Sequence, residues 1–465
     1  MAAVATQPSS APRDADGAIR NGFGAPDRFM YVAHEALRSI GHAGFLCQTH
    51  LWLDGRIDEA RLRDALARLS QRYPIVVART VKHTKRDAVH WESRPDAVCT
   101  LAVSTLERPD TASVWRYAEA LFASPVDLDR IDPISFHLLH LPDGRDVLIL
   151  HWCHALMDGK APELALQEID RLSSEVEAND PSDDSALTET SPADQDGPDE
   201  ILTHLRRSTP MRRIRCSLRV IASQMGIPVR SITLVPPETT GWVLEPTRIN
   251  VKTLEPGETD ALTARVKRIC GFSNLSPAIL ASVFRVISRM SPCRQGRRTI
   301  FQTDVPLNLR APGATGPIFR NFMSFIAARA TFAELGNRDA LTRMLNSQMR
   351  DQLRRGIDVG NLQMMTVMSR FAGVLVSHMK DRLQRKPLTL GYGFLGPVAG
   401  GFDRFCGVPI GQLYTLNSAL SPPGITLQAN QCQGRINLAL TYISDVIPTE
   451  TAGEFLDAVA KDLLA

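Results

Sequence analysis

The sequence predicts an α/β protein made of two sandwich-like halves with a cleft between them. Three observations carry this. Strand-like and helix-like apolar patterns alternate in both halves of the chain. An acidic, Ser- and Pro-rich stretch without Lys or Arg, from Asp180 to Glu200, separates them. The 465 residues also exceed what a single core usually serves.

The elements follow in order. Residues 1–27 are rich in Ala, Ser, Pro and Gly and are expected to form a flexible tail, with order beginning near Phe29. "FLCQTHLWLDGRID" alternates as a strand, and Asp58 then offers an N-cap to a helix whose Leu62, Leu66 and Leu69 share one face before Tyr73-Pro74 stops it. "ISFHLLHL" and "DVLILHW" read as two strands around a tight turn in which Asp143-Gly144 supplies the positive φ. Helical periodicity returns in "GKAPELALQEIDRL", which completes an N-terminal domain expected over residues 28–175.

Residues 176–200 are the expected acidic, disordered linker, and 201–245 a basic crossover helix containing "THLRRSTPMRRIRCSLRVIASQM". That segment suits packing on the body with a charged outer face, or contact with an anionic membrane surface. The C-terminal domain, 246–465, opens with the strand "TRINVKTL". Helices follow in "ETDALTARVKRICGF" and "LSPAILASVFRVISRM", then strands in "RTIFQTDVPLNLR" and "NFMSFIAARATFA", and "GITLQANQCQGRINLALTYI" closes the pattern as a hairpin.

Composition excludes some functions. With 44% apolar and 22% charged residues and a formal charge of +3, the chain has no electrostatic footprint for nucleic acid. The eight cysteines form no C-x-x-C pair and read as reduced thiols. The N-terminal residues lack the basic and apolar regions of a secretion signal, and no run of about eighteen apolar residues could span a bilayer. A cytoplasmic protein is expected, with peripheral contact at a membrane or lipid surface as a further expectation.

The chemistry is expected in "HWCHALMDGK", at a strand-to-helix junction that would face a cleft. His154 and Asp158 are the candidate catalytic residues. A neutral imidazole takes a proton near pH 7 without much tuning. Asp158, four residues on, would share a helical face with it and could either orient the ring or hold the loop through an arginine. Gly159 would leave room for a substrate beside the histidine. A metal site among His137, His140, His151 and His154 is disfavoured because alternation turns the first pair to opposite faces, so no metal is expected. Cys153 as a nucleophile is disfavoured for a related reason, since adjacent strand residues point to opposite sides.

"CHALMDG" resembles the H-H-x-x-x-D-G signature of the CoA-dependent acyltransferase superfamily, which includes condensation domains of peptide synthetases, polyketide-associated acyltransferases and the wax ester synthase/diacylglycerol acyltransferase group. The likeness runs through "DGRIDEARLRDALARLSQRYPIV" and "PVDLDRIDPISFHLLHLPDGRDVLILHWCHALMDG". In the second half, "DVPLNLRAP", "FRNFMSFI", "FLGPV" and "PPGITLQANQCQGRINLALTY" are similar to the family's later strands. Cys153 stands where the signature has its first histidine, and Gly393-Phe394 where the wax ester synthase group usually has Ser-Asn.

The resemblance implies two chloramphenicol acetyltransferase-like sandwich domains around a central tunnel. It implies an acyltransferase in which His154 is the general base, moving an acyl group from an acyl-CoA or a carrier-protein thioester to a hydroxyl or amine of a small-molecule acceptor, with a hydroxyl favoured. The thioester is the donor substrate, and no permanently bound cofactor is implied. Asp158 would pair with Arg310 of "PLNLR", while Asn417 and Ser418 of "NSALSPPG" are candidates to line the substrate tunnel. The competing reading is a catalytically silent relative that uses the cleft for binding or for docking a carrier protein.

Overall fold

In the computed structural model, residues 20–465 are described apart from 84–87, 95, 109, 176–204, 206–207, 226–229, 235–246, 292–298, 369–387, 399 and 420–422. The acidic linker expected at 176–200 therefore lies outside the described residues.

The first lobe starts with β1 (Arg20–Gly22) and α1 (Ala25–Arg38), which the sequence reading had assigned in part to a tail. Pro26 opens α1, and Met30, Ala33 and Leu37 bury one face at helical spacing. The ordered body thus begins ahead of the limit expected at residue 27. Next come β2 (Leu46–Leu53) and α2 (Glu59–Arg72), capped by Asp58, whose carboxylate accepts from the N–H groups of Ala60 and Arg61. Strands β3 (Ala78–His83), β4 (Ala88–Ser93) and β5 (Leu101–Thr105) and helix α3 (Thr111–Ala123) have no counterpart among the sequence expectations. The expected hairpin is β6 (Ile134–His140) and β7 (Asp146–Cys153), turned at Gly144 with φ 86°, and α4 (Ala161–Glu175) follows it.

The basic segment forms α5 (Pro210–Met225). Cys216 and Val220 are buried, whereas Met211, Ile214, Leu218 and Ile221 are exposed. The second lobe comprises β8 (Arg230–Ser231), β9 (Thr247–Leu254), α6 (Pro256–Cys270), α7 (Ser276–Met290), β10 (Thr299–Asn308), β11 (Met323–Ala330), α8 (Arg338–Arg354), α9 (Ile357–Met368) and β12 (Gly391–Pro397). The chain closes with β13 (Arg404–Phe405), β14 (Val408–Asn417), β15 (Ile425–Cys432), β16 (Arg435–Ile443) and α10 (Thr449–Leu464).

Each lobe has its own main apolar core, and β1, β4 and β3 form a small separate sheet in the first lobe, in the order β1-β4-β3. The first sheet has the order β13-β14-β2-β7-β6-β5, and the second lobe carries β12-β15-β16-β9 and β11-β10-β8. These last two are joined where the Thr389 N–H donates to Gln302 O at 2.7 Å. The lobes are not separated at one point in the chain. β13 and β14 leave the C-terminal half and extend the first sheet, β14 running antiparallel to β2 from Ile410↔Leu53 to Asn417↔Cys47. The boundary expected at 246 therefore divides the sequence but not the space. Glu119 of α3 adds a further link, accepting from the Ile249 N–H at 3.0 Å and from Arg248 Nη1 at 2.9 Å on β9. No described helix is long and apolar enough to cross a membrane.

Candidate active site

The signature sits where the lobes meet. β7 ends at Cys153, and residues 154–160 form turns before α4 begins, so His154 and Asp158 do not share a helical face as expected. They act on different partners.

His154 is held from three sides. Its backbone N–H donates to Phe45 O at 2.9 Å, continuing the β2–β7 pairing by one residue. Its ring lies against Phe45, with centroids 4.7 Å apart. Its Nδ1 meets Oδ1 of Asn321 at 3.0 Å across the lobe interface. The side chain is buried, 7% exposed, and burial lowers its pKa below the ordinary histidine value, against contacts with its own backbone, the Asp158 charge and Asn321. A lowered value keeps the imidazole neutral, which a base requires.

Asp158 binds the second lobe. Its Oδ2 accepts from Arg310 Nη1 at 2.6 Å and from the Phe322 N–H at 2.7 Å, while Oδ1 accepts from the N–H groups of Lys160 and Ala161 at 3.1 and 3.2 Å. Arg310 gives its remaining donors to Pro317 O, Arg320 O and Asn308 Oδ1. With side chains 2% and 5% exposed and every strong donor met, this is a buried pair of the compensated kind. The hydrogen bonds of the carboxylate go to the loop and to the second lobe, and none goes to the imidazole.

Gly159 does not open space for a substrate. A Cβ there would lie 2.9 Å from Leu395 Cδ2 of β12, so the position is one of close packing between lobes. Asn417 ends β14 opposite Cys47, and its carbonyl accepts from Thr441 Oγ1. Ser418 follows: its N–H donates to Leu46 O at 2.8 Å and its Oγ accepts from the Leu46 N–H at 3.3 Å. Ser418 and His154 thus lie at one end of the sheet, two strand spacings or about 10 Å apart, and the Ser418 hydroxyl is engaged with the backbone of β2.

Two residues of α1 support the site, and sequence reasoning missed both. Asp27 and His34, seven residues apart on one helical face, reach the signature from the N-terminal side. Asp27 Oδ1 accepts from both the backbone N–H and Nδ2 of Asn321, at 2.7 and 3.0 Å. His34 donates from Nε2 to Val126 O at 3.0 Å, so its Nδ1 is an acceptor for the Phe45 N–H at 3.1 Å and the Cys153 thiol at 3.2 Å. Gly44 makes this approach feasible: φ is +128°, and a Cβ would stand 2.3 Å from the His34 ring. The signals were present in "APDRFMYVAHEALR", with Pro near a helix start and apolar residues at helical spacing. Asn321 stood within "FRNFMSFI", which had been matched as a strand but not read as part of the site.

Cys153 is fully buried, its thiol pushed up to about 12 by burial, which suits a hydrogen-bond donor and not a nucleophile. The four histidines once weighed as metal ligands go to separate partners: His137 to Tyr117 and Ser135, His140 to Asp146 and Glu59, His151 to Gln48, and His154 to Asn321. Among the described residues no group of three His, Cys, Asp or Glu side chains is placed to hold a metal ion.

No family model and no curated protein matches the sequence. Solved structures do match over nearly the whole length. The first condensation domain of the calcium-dependent antibiotic synthetase, in complex with a substrate analogue, aligns at a TM-score of 0.71 with 16% identity, covering 96% of each chain. The chain has the condensation-domain fold. A starter condensation domain of rhizomide synthetase, in a mutant complex with C8-CoA and Leu-SNAC, aligns at 0.66 with 13% identity over 96% of this chain and 94% of that one. The epimerization domain from the third module of tyrocidine synthetase B aligns at 0.63 with 13% identity over 98% of both. The condensation-domain fold fits the two-lobed arrangement.

Proposed function

We propose that this condensation-type chain is an acyltransferase in the CoA-dependent acyltransferase superfamily. It moves an acyl group from an acyl-CoA or carrier-protein thioester to a hydroxyl or amine of a small-molecule acceptor. The observation that carries the reading is the position of His154: a buried imidazole at the lobe junction, with one ring nitrogen engaged by Asn321 and burial favouring its neutral form. Nε2 takes the proton of the acceptor as its oxygen or nitrogen attacks the thioester carbonyl carbon. The C–S bond then breaks, and the same proton passes from Nε2 to the departing sulfur. No acyl-enzyme forms, in keeping with a Cys153 thiol that is protonated and committed to His34.

Asp158 and Arg310 act by fixing the loop that carries the base, and Asn417 and Ser418, at the same sheet end, are assigned to the wall of the substrate path. The exposed stripe Met211, Ile214, Leu218 and Ile221 of α5, flanked by Arg212, Arg215 and Arg219, suits contact with an anionic lipid surface. Co-sedimentation with vesicles containing phosphatidylserine, but not with phosphatidylcholine alone, is the result expected of that contact.

The function is tested by release of free thiol from a panel of acyl-CoAs and acyl-pantetheine thioesters offered with alcohols and amines. Acceptor-dependent release identifies the reaction. A folded chain that binds thioesters but releases thiol with no acceptor in the panel favours the silent docking module instead.

A further inference from the structure

The imidazole of a general base must present the correct nitrogen to its substrates, and which nitrogen carries the hydrogen is set by what the other one meets. In this chain the nearest carboxylate in sequence, Asp158, has no part in that choice, since both of its oxygens are occupied elsewhere. We propose that Asn321, itself oriented by the buried carboxylate of Asp27, is the positioning residue that holds His154 with its hydrogen on Nδ1 and leaves Nε2 as the working nitrogen.

The amide orientation follows from its partners. Nδ2 of Asn321 lies 3.0 Å from Asp27 Oδ1 and 2.8 Å from the His154 carbonyl, and both of those atoms can only accept. The amide nitrogen must therefore face them. A flipped amide would set oxygen against a carboxylate and a carbonyl in a site where Asn321 is fully buried. Oδ1 is then the atom 3.0 Å from His154 Nδ1, and because Oδ1 can only accept, Nδ1 must donate.

Asp27 makes the arrangement rigid. Its Oδ1 holds the backbone N–H of Asn321 at 2.7 Å as well as the amide, so one carboxylate oxygen grips both ends of the residue. Its Oδ2 accepts from the Gly24 N–H at 3.1 Å and lies 3.8 Å from Arg320 Nη1. Burial raises the Asp27 pKa above the ordinary carboxylate value, and three N–H donors and the Arg320 guanidinium work against that burial to favour the ionised form.

An amide between carboxylate and imidazole has a chemical consequence. A carboxylate placed directly on Nδ1 stabilises the imidazolium strongly, and that favours retention of the proton. A neutral amide accepts the same hydrogen without a full charge on the ring, so the proton gained in attack is readily given up to the leaving sulfur. The negative charge sits one residue further out, where it fixes the amide.

This inference rests on the base role given to His154, but its test reads the ring directly. The full chain is labelled with ¹⁵N-histidine, and the His154 signals are assigned by their loss in His154→Ala. At neutral pH the wild type should show a protonated Nδ1 and an unprotonated Nε2. Asn321→Ala should move the ring toward the Nε2–H form that a free histidine side chain prefers. Asp27→Asn, which keeps the shape of the carboxylate but not its charge or its two acceptor oxygens, should give a mixture of the two forms.

In the acyl-transfer assay Asn321→Ala should lower kcat by about 10²-fold or more, with KM for both substrates within a few-fold. A residue that only holds the fold would not produce that split. A wild-type spectrum with the hydrogen on Nε2 overturns the proposal, even if neither variant folds. So does a folded Asn321→Ala with unchanged tautomer. The expected spectra in a chain without acyl-transfer activity would uphold the positioning role and overturn the functional reading instead.

Discussion

His154 was legible in the sequence because a histidine ahead of Asp-Gly at the end of an apolar strand is a local pattern. Its partners were not, because Asn321 and Asp27 lie 167 residues after it and in the presumed tail, and only the fold brings them together. At this scale the pH dependence is the clearest expectation. Burial holds the His154 pKa below its ordinary 6.5, so the base stays neutral as pH falls through that value. The acid limb of kcat/KM for free enzyme should therefore have its midpoint below 6.5, and a midpoint above 7 would contradict the environment described for the ring. Cys153, which donates to His34 and is inaccessible, should resist alkylation in the native protein, and Cys153→Ala should keep activity within a few-fold. Complete loss of turnover in a folded Cys153→Ala would restore the nucleophile that the geometry argues against.

The elements that the sequence predicted well are those with strong periodicity or a clear stop, such as α2 with its Asp58 cap and the β6–β7 hairpin turned at Gly144. Helix α1 was not read as a helix, and its first residues were assigned to a tail, because Ala, Pro and Gly around residues 20–27 resemble a linker. No local signal could show that β14 pairs with β2, since that pairing depends on contacts more than 350 residues apart. The loop between β7 and α4 carries the sharpest prediction at this scale. Asp158→Asn and Arg310→Ala should each lower unfolding free energy on the order of 3 to 5 kcal/mol. The double variant should cost less than their sum, because the second change no longer strands a charge. Strict additivity in denaturant unfolding would mean that the pair is not coupled. Gly44→Ala should be destabilising as well, since it needs a positive φ and meets the His34 ring. A melting temperature equal to wild type would show that α1 does not dock as described.

The molecule as a whole was expected to be two successive domains, and it is two lobes laced together by β14, by Glu119 on β9, by Asp27 with Asn321 and by Asp158 with Arg310. Such links make the lobe interface and the site one structure, so acid should affect both. His50 and His151 are buried and held to about 3, and His34 and His137 to about 4, all below their unfolded value of 6.5. Between the folded and unfolded values the unfolded chain binds more protons, so stability is complete above about pH 6.5 and is lost as pH falls. For His50 alone the loss at pH 5 is about 2 kcal/mol. Denaturant midpoints should fall as pH is lowered from 6.5 to 5; a profile that is flat over that range would contradict the burial of these rings.

The account turns on one nitrogen, and the rate of acceptor-dependent thiol release in wild type and His154→Ala measures it. With both proteins shown to be folded by the same unfolding curve, a 10²- to 10⁴-fold fall is the result that general-base catalysis by His154 requires. Turnover near the wild-type rate in a folded His154→Ala would contradict it.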